Sequence, residues 1–274
     1  MYRFKEFKPD YIIEHGKEII NFFCLEYNIN PNNRFSIFIK NYEKMCQDKD
    51  LPVFNSDRHI SLLAGFKDFI ELELIYSSGV YKDAPLYEIK RLFNGNIRHF
   101  TDTNQTPRDI QFQFSIAALL KNNGFTVKMC EPDFFFHYDK TDYPVAAKRV
   151  SSPKQIEKRI KEAEKQISKF DISGIIALSI ENLFKPEDQI ISDKPFSQSS
   201  KELEKRLRNY SKKYFYGKYF EERKHVSAFF LNSSLPVCFK NSVYFGYVNS
   251  LLVVPVVPED SFEFQKFKIL AECL

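Results

Sequence analysis

Two charged residues stand at the ends of two short apolar segments that are close together in the sequence. Asp133 precedes three consecutive phenylalanines, and Lys148 follows a Val-Ala-Ala segment. The polar residues 137–142 between these segments are typical of a hairpin turn. If Asp139 pairs with Asp142, antiparallel pairing places Asp133 directly opposite Lys148, at a Cα separation of about 4.5–5.5 Å. The pattern therefore predicts an acid and a base on one face of a β-hairpin.

An acid beside a lysine suits the hydrolysis of a phosphodiester. The attacking water must lose a proton and the phosphate gains negative charge, and a carboxylate-bound divalent metal with a nearby ammonium group assists both changes. Mg²⁺ needs only one or two carboxylates, because water and phosphate oxygens fill its other positions. Asp133 is the best candidate ligand for Mg²⁺ or Mn²⁺. Glu131 has the same strand parity and is a second candidate, although Pro132 distorts a strand at this point.

The element before the hairpin is predicted to be a helix. Thr106 is a typical N-cap, Pro107 suits the first helical position, and Gly124 marks the end. Asp109 and Gln113 fall on the same stripe as the apolar residues of this helix. We interpret Asp109 as a residue of the N-terminal cap, whereas Gln113 is either a hydrogen-bonded core amide or part of a site.

The elements after the hairpin are a second helix and a buried strand. Residues 125–130 are expected to form the strand that precedes the hairpin, and the helix from residue 152 to residue 170 presents an apolar stripe. That stripe consists of Ile156, Ile160, Ala163 and Ile167. The lysines and glutamates on its other faces are interpreted as a solvated surface. Residues 174–180 form a continuous apolar run, which is typical of a strand parallel to its neighbour.

This order of helix, strand, hairpin, helix and strand, with Pro132-Asp133 and Lys148 at these places, resembles the restriction-endonuclease-like PD-(D/E)xK nucleases. The resemblance covers residues 106–182, under a third of the 274 residues. It implies an α/β fold with a mixed sheet flanked by helices, Asp133 as a metal ligand and Lys148 as catalytic base or electrostatic partner. It also implies supplementary catalytic roles for Gln113 and Glu131. Contacts to nucleic acid are implied for Gln166, its neighbour Arg159, and Arg149.

The sequence departs from the family pattern at two positions. The acid expected two residues before the lysine is replaced by Ala146, and the usual helix acid corresponds best to Gln113. A metal-dependent nuclease acting on DNA rather than RNA is our leading hypothesis. A catalytically degraded nuclease fold that binds nucleic acid or assembles with other proteins is the alternative, and a helical adaptor with a basic face is a third.

Residues 1–100 are expected to form a helical N-terminal region. Apolar spacings of three and four predict helices over residues 10–27, 32–46, 56–76 and 85–100. Glu71 and Glu73 lie within the third of these helices, and a solvated helix face is our interpretation of both. Residues 101–107 are read as the boundary of a nuclease-like core that ends at residue 182.

Residues 183–274 are predicted to be a C-terminal extension that completes the same sheet. Residues 184–200 read as a loop, residues 226–231 and 242–257 as strands, and residues 259–274 as a closing helix. A basic helix over residues 201–224 interleaves cations with tyrosines, a pattern typical of contact with nucleic acid as well as of plain surface helices. Its candidate contact residues are Lys205, Arg206, Arg208, Lys212 and Lys213.

Composition limits the remaining possibilities. A net charge of +4 is compatible with a nucleic-acid partner without requiring one. The 5 cysteines form no Cys-x-x-Cys pair, so neither a disulfide framework nor a zinc knuckle is indicated. No apolar run approaches the roughly 18 residues of a membrane span, so we expect no membrane partner and a cytoplasmic location. Contact with a second copy or with a partner protein stays open.

Overall fold

A mixed β-sheet runs through the molecule. The computed structural model describes residues 5–48, 52–53, 56–96, 105–185, 188–192, 194, 196–220, 223–239 and 242–273. The strands of these residues are β1 (Lys5–Phe7), β2 (Thr126–Cys130), β3 (Asp133–Tyr138), β4 (Thr141–Arg149), β5 (Gly174–Ser179), β6 (Ile191–Ser192), β7 (Val226–Cys238) and β8 (Phe245–Pro255).

The strand order across the sheet is β1-β8-β7-β5-β4-β3-β2, with β6 paired to β7. The pairs β2/β3 and β3/β4 are antiparallel, β4/β5 and β5/β7 are parallel, and β7/β8 and β8/β1 are antiparallel again. Strands from the beginning, middle and end of the chain therefore share one sheet.

Helices cover both faces of the sheet. They are α1 (Pro9–Tyr27), α2 (Arg34–Asp48), α3 (Asp57–Ser78), α4 (Leu86–Leu92), α5 (Thr106–Asn122), α6 (Ile156–Ile167), α7 (Phe196–Tyr214) and α8 (Phe262–Cys273). One apolar core holds residues of α1 to α5 and α8 against one face, and a second core holds α6 and α7 against the other. No helix in the described ranges combines the length and the apolar character that crossing a membrane requires.

Local patterns predicted the central elements well. The predicted helices at α5 and α6 and the strand at β5 are present, the four residues of the α6 stripe are buried, and β5 is parallel to β4. The mixed α/β architecture is thus confirmed. The order α5-β2-β3-β4-α6-β5 positions Asp133 and Lys148.

Several boundaries were wrong because tertiary pairing determines them. The segment 184–200 contains β6 and the start of α7, and α7 ends at Tyr214 rather than near residue 224. Strand β7 continues to Cys238 because it pairs with β8 from Ala228 to Cys238. Helix α4 ends at Leu92, and residues 97–104, which include most of the predicted domain boundary, lie outside the described residues.

The interpretation of Glu71 and Glu73 as solvated was also wrong. Their exposed fractions are 6% and 5%. Helix α3 packs against α1, α2 and α5 and against β7 and β8, so that nearly all of its circumference is buried. Apolar residues on every side of a helix indicate such a central position.

Candidate active site around Asp133 and Lys148

The hairpin has a tighter register than expected. Asp139 and Lys140 form a two-residue turn with φ of 45° and 65°, and Tyr138 pairs with Thr141. Positive φ at both central residues is the geometry of the turns that best fit the twist of paired strands. The pairing of β3 with β4 ends at Phe134 and Val145, and continuing it by one residue places Asp133 opposite Ala146. The predicted direct opposition of Asp133 and Lys148 was therefore wrong by two residues.

The two side chains nevertheless meet. A shift of two residues preserves the face on which a side chain lies, because side chains alternate with a period of two. Asp133 Oδ2 accepts hydrogen bonds from Lys148 Nζ at 3.0 Å and from the Ala147 amide at 2.6 Å. The side chains of Lys148 and Asp133 are 16% and 14% exposed. The hairpin thus forms a largely buried ion pair near the start of β3.

The environment of Asp133 disfavours its charge. Burial raises the pKa of Asp133 above its ordinary value, and the ammonium group of Lys148 and the Ala147 amide offset only part of this effect. A desolvated carboxylate beside a specific cation is typical of functional sites, although structural ion pairs share this property.

Glu88 of α4 is a further acid of this region that the sequence analysis did not identify. Burial raises its pKa, the Tyr87 hydroxyl lowers it by hydrogen bonding, and the charges of Asp133 and Glu131 raise it again. Glu131 is exposed in the turn between β2 and β3, not within the strand. No local sequence signal marks Glu88, because its electrostatic coupling to Asp133 depends on how α4 packs. Within the described ranges, no group of three or more His, Cys, Asp and Glu side chains is placed to hold a metal ion.

Gln113 supports the main chain of the site. Its Nε2 donates a hydrogen bond of 3.2 Å to the carbonyl oxygen of Asp133, and its exposed fraction is 8%. The amide therefore contacts the backbone at the start of β3 and orients Asp133 from α5.

Asp109 lies among cations rather than serving only the helix end. Gln105 occupies the N-cap position of α5, one residue earlier than predicted. Burial raises the pKa of Asp109, while the charges of Arg149, Arg159 and Lys148 lower it, with a net rise. A second carboxylate is thus electrostatically coupled to Lys148.

Helix α6 contributes amide and basic groups next to Lys148. Gln166 lines a shallow depression together with Lys148, Glu162, Lys165 and Lys169. Its Oε1 is buried and has no hydrogen-bond partner within the described part of the chain. Arg159 Nη1 donates to Glu162 Oε2 at 3.0 Å. Gln166 therefore lies next to Lys148 in this depression.

Arg149 lies on the other face of β4 from Lys148. Its Nη2 is 3.5 Å from Glu181 Oε1, its Nη1 donates to Gln105 Oε1 at 3.3 Å, and the residue is 7% exposed. Consecutive residues of a strand point to opposite faces. Arg149 therefore faces away from the depression that Lys148 lines.

The basic residues of α7 are distant from Asp133. Helix α7 packs against β7 and β8, and β7 is three strands from β3, which corresponds to roughly 14 Å across the sheet. Arg206 is held by Glu202 and by the Asp188 and Ile190 carbonyl oxygens. Arg208 pairs with Glu204, Lys213 stacks on Tyr214, and Lys205 and Lys212 are exposed. The predicted set therefore does not form one continuous basic face with the hairpin.

Comparison with known proteins adds no relative. No protein-family model, curated protein or solved structure matches this chain.

Proposed function

We propose that the protein is a metal-dependent nuclease that hydrolyses phosphodiester bonds, with DNA as the favoured substrate. The observation that carries this proposal is the contact of Lys148 Nζ with Asp133 Oδ2 at 3.0 Å. The order α5-β2-β3-β4-α6-β5, with antiparallel, antiparallel and parallel pairing, supports it by its resemblance to the PD-(D/E)xK core. The chemistry would be a Mg²⁺-dependent attack of water on phosphorus.

The acids near Asp133 fit a site for Mg²⁺ or Mn²⁺ that uses few protein ligands. Asp133 and Glu131 both raise the pKa of Glu88, which indicates mutual repulsion of carboxylates that a dication would relieve. Asp133 would hold the metal together with Glu88 or Glu131, and Mg²⁺ requires no more than two carboxylates. The bound ion would supply a water of lowered pKa and neutralise the phosphate.

The other side chains have roles that need no metal. The Lys148 ammonium group stabilises negative charge that develops on the phosphate. Gln113 fixes the backbone at Asp133 through its 3.2 Å hydrogen bond. Asp109 adds a second carboxylate whose charge interacts with that of Lys148.

A row of lysines along α6 provides a path for the phosphate backbone. Lys158, Lys161 and Lys165 are spaced at intervals of three and four, so they lie on one side of α6. Lys154 precedes the helix and Lys169 follows it, and all five lysines are exposed. Lys165 and Lys169 line the same depression as Lys148. We therefore place the nucleic acid along α6 rather than along α7.

Cleavage assays test the catalytic part of the proposal. Purified protein is incubated with plasmid and with short DNA and RNA in the presence of Mg²⁺ or Mn²⁺. We expect Asp133→Ala and Lys148→Ala to lose activity by at least 100-fold, the lower end for a positioned acid–base group. Asp142→Ala and Lys205→Ala, which replace exposed residues, should retain it. Cleavage that survives in both site variants would refute the assignment.

Binding in EDTA tests the α6 path without catalysis. Each neutralised phosphate contributes about 0.9 to the slope of log affinity against log salt for duplex DNA. We expect Lys165→Ala/Lys169→Ala to reduce that slope by about 1.8. The matched double variant Lys205→Ala/Lys212→Ala on α7 should leave it unchanged. Equal decreases of the salt slope in the two double variants would refute the proposed path along α6.

The second candidate is a degraded nuclease fold that binds nucleic acid or assembles with other proteins. Ala146, where the family places an acid, is fully buried in the core beneath α6, and Gln113 is neutral. This candidate predicts salt-dependent binding and no metal-dependent cleavage. Calorimetric titration with Mg²⁺ distinguishes the two candidates. The nuclease should bind the metal, and the Asp133→Asn variant should not, whereas the degraded fold should show no metal binding.

A further inference from the structure

A cleft with polar and charged side chains at its base, called the floor below, opens on the face of the sheet opposite Lys148. It has a volume of about 120 Å³ and lies between α3, α5 and the carboxyl ends of β4 and β5, with β7 beneath. Ligands of parallel α/β sheets commonly bind beyond the carboxyl ends of the strands. The nuclease proposal makes no use of this cleft.

The walls of the cleft are apolar. Helix α3 contributes Ile60 and Leu63, α5 contributes Phe112, and β7 contributes Leu235. Apolar walls around a few positioned polar groups are typical of small-molecule sites. An empty cavity of roughly 150 Å³ accepts a benzene-sized molecule, so this volume fits one six-membered ring rather than a complete nucleotide.

The charged groups of the floor are paired with one another. Lys67 Nζ lies 2.9 Å from Glu71 Oε1 and 3.2 Å from Glu181 Oε2, and Arg149 also contacts Glu181. Ser234 donates to Glu71 Oε1 at 2.7 Å. Burial alone would lower the pKa of Lys67, but Glu181 and Glu71 raise it well above its ordinary value. An ionised ligand would have to displace one of these pairs, which a neutral ligand need not do.

Neutral side chains of the floor have donors and acceptors that are available for hydrogen bonds to a ligand. The side chains of Ser179 and Asn182 line the cleft and make no hydrogen bond within the part of the chain that the structure describes. Gln189 donates from Nε2 to the Phe184 carbonyl oxygen and retains its Oε1 as an acceptor. Together they offer both donors and acceptors to the edge of a flat ring.

We propose that this cleft binds one uncharged six-membered heterocycle with a hydrogen-bonding edge, the chemistry of a pyrimidine nucleobase. The ring packs between the apolar walls, and its polar edge contacts Ser179, Asn182 and Gln189. The base has two sources, a free base or an unstacked base of a nucleic-acid strand. The inference depends on the cleft alone, so it can hold when the nuclease proposal fails.

Titration of the full chain with uracil, cytosine and orotate, followed by calorimetry or protein NMR, tests the proposal. Orotate is uracil with an added carboxylate, so it isolates the effect of charge. We expect saturable binding of uracil or cytosine and at least tenfold weaker binding of orotate. Equal binding of orotate and uracil would overturn the inference. So would the absence of binding of uracil and cytosine, both as free bases and within a strand.

A second arm identifies the source of the base. Short single strands with a central pyrimidine are compared in EDTA with strands that are abasic at that position. Tighter binding of the intact strand supports a base within nucleic acid, and equal binding of both strands with saturable binding of the free base supports a free ligand. The absence of both responses would overturn the proposal.

Variants locate the binding. Ala64→Phe fills the cleft from α3, and Ala64→Ser at the same position leaves it open. We expect the first to abolish binding and the second to preserve it. Ser179→Ala removes one hydroxyl from the floor and should weaken binding about three- to tenfold, and this small change keeps the test valid if Ala64→Phe fails to fold. Binding that both Ala64→Phe and Ser179→Ala retain would refute the location.

Discussion

Replacing Asp68 should destabilise the protein strongly, because this buried carboxylate contacts two buried arginines. Asp68 lies on α3, and its Oδ2 accepts a hydrogen bond from Arg34 Nη1 of α2 at 2.6 Å and one from Arg108 Nη2 of α5 at 3.0 Å. The exposed fractions are 6% for Asp68, 2% for Arg34 and 4% for Arg108. One carboxylate therefore joins two N-terminal helices to the helix that supports Asp133.

The expected magnitude follows from the charges that the substitution leaves behind. Asp68→Asn keeps the shape of the side chain but removes the negative charge that both buried guanidinium groups contact, while Arg34 and Arg108 keep their hydrogen bonds to the carbonyl oxygens of Leu92 and Asn96. Removing one partner from a buried ionic group costs about 3–5 kcal/mol. A protein of this size loses about 2–4 °C of Tm per kcal/mol, so we expect a decrease of roughly 10 °C.

Urea and thermal unfolding measure this effect. Asp83→Asn is the matched control, because Asp83 is exposed and should change the free energy of unfolding by no more than about 0.5 kcal/mol. Circular dichroism should show one transition for the wild type and one transition at lower urea for Asp68→Asn. A shift as small as that of the control would refute the assigned role of the buried carboxylate.

Three further predictions concern the hairpin and its supports. Burial raises the pKa of Asp133, so its contribution to stability is present below the ordinary pKa and is lost as the pH rises through the folded-state pKa. Asp133→Asn removes this titration, so the Tm of the variant relative to the wild type should rise between pH 4 and pH 7, and a Tm difference that does not change with pH would contradict this. Lys140→Gly relieves a φ of 65° and should add about 0.5–1 kcal/mol, seen as a higher urea midpoint, whereas no change would argue against backbone strain in the turn. Gly174→Ala would bring a Cβ to 2.3 Å from the Pro144 carbonyl oxygen and 2.8 Å from Ile167 Cγ2, so we expect a loss of about 1–3 kcal/mol in the same assay, and wild-type stability would show that the contact relaxes freely.

The periodic elements could be predicted because their signals are local. Helix α5 has a proline at its start and a glycine after its end, and the stripe of α6 repeats at intervals of three and four. Strand β5 is buried at every position, as a continuous apolar run indicates for a strand covered on both faces. Their order also predicted that Asp133 and Lys148 share a face, because face depends only on the parity of the strand position.

Contacts between distant segments were not predictable from the same patterns. The hairpin turn uses Asp139 and Lys140 at positive φ, without the glycine that usually marks such a turn, so its register was misjudged by two residues. Asp109 had a local explanation as part of a helix cap, and only the packing of α5 against β4 couples it to Arg149 and Lys148.

The sequence by itself determined which segments are helices and strands in the central part of the chain, and it identified Asp133 and Lys148 as the pair to examine. Tertiary structure alone decided the surroundings of that pair and the burial of Glu71 in the opposite cleft. The physical reason is that periodicity reports which side of an element is apolar, whereas the desolvation and pairing of a charged group depend on the neighbour that covers it. Glu88 is the clearest case, because its electrostatic coupling to Asp133 arises only when α4 packs against α5.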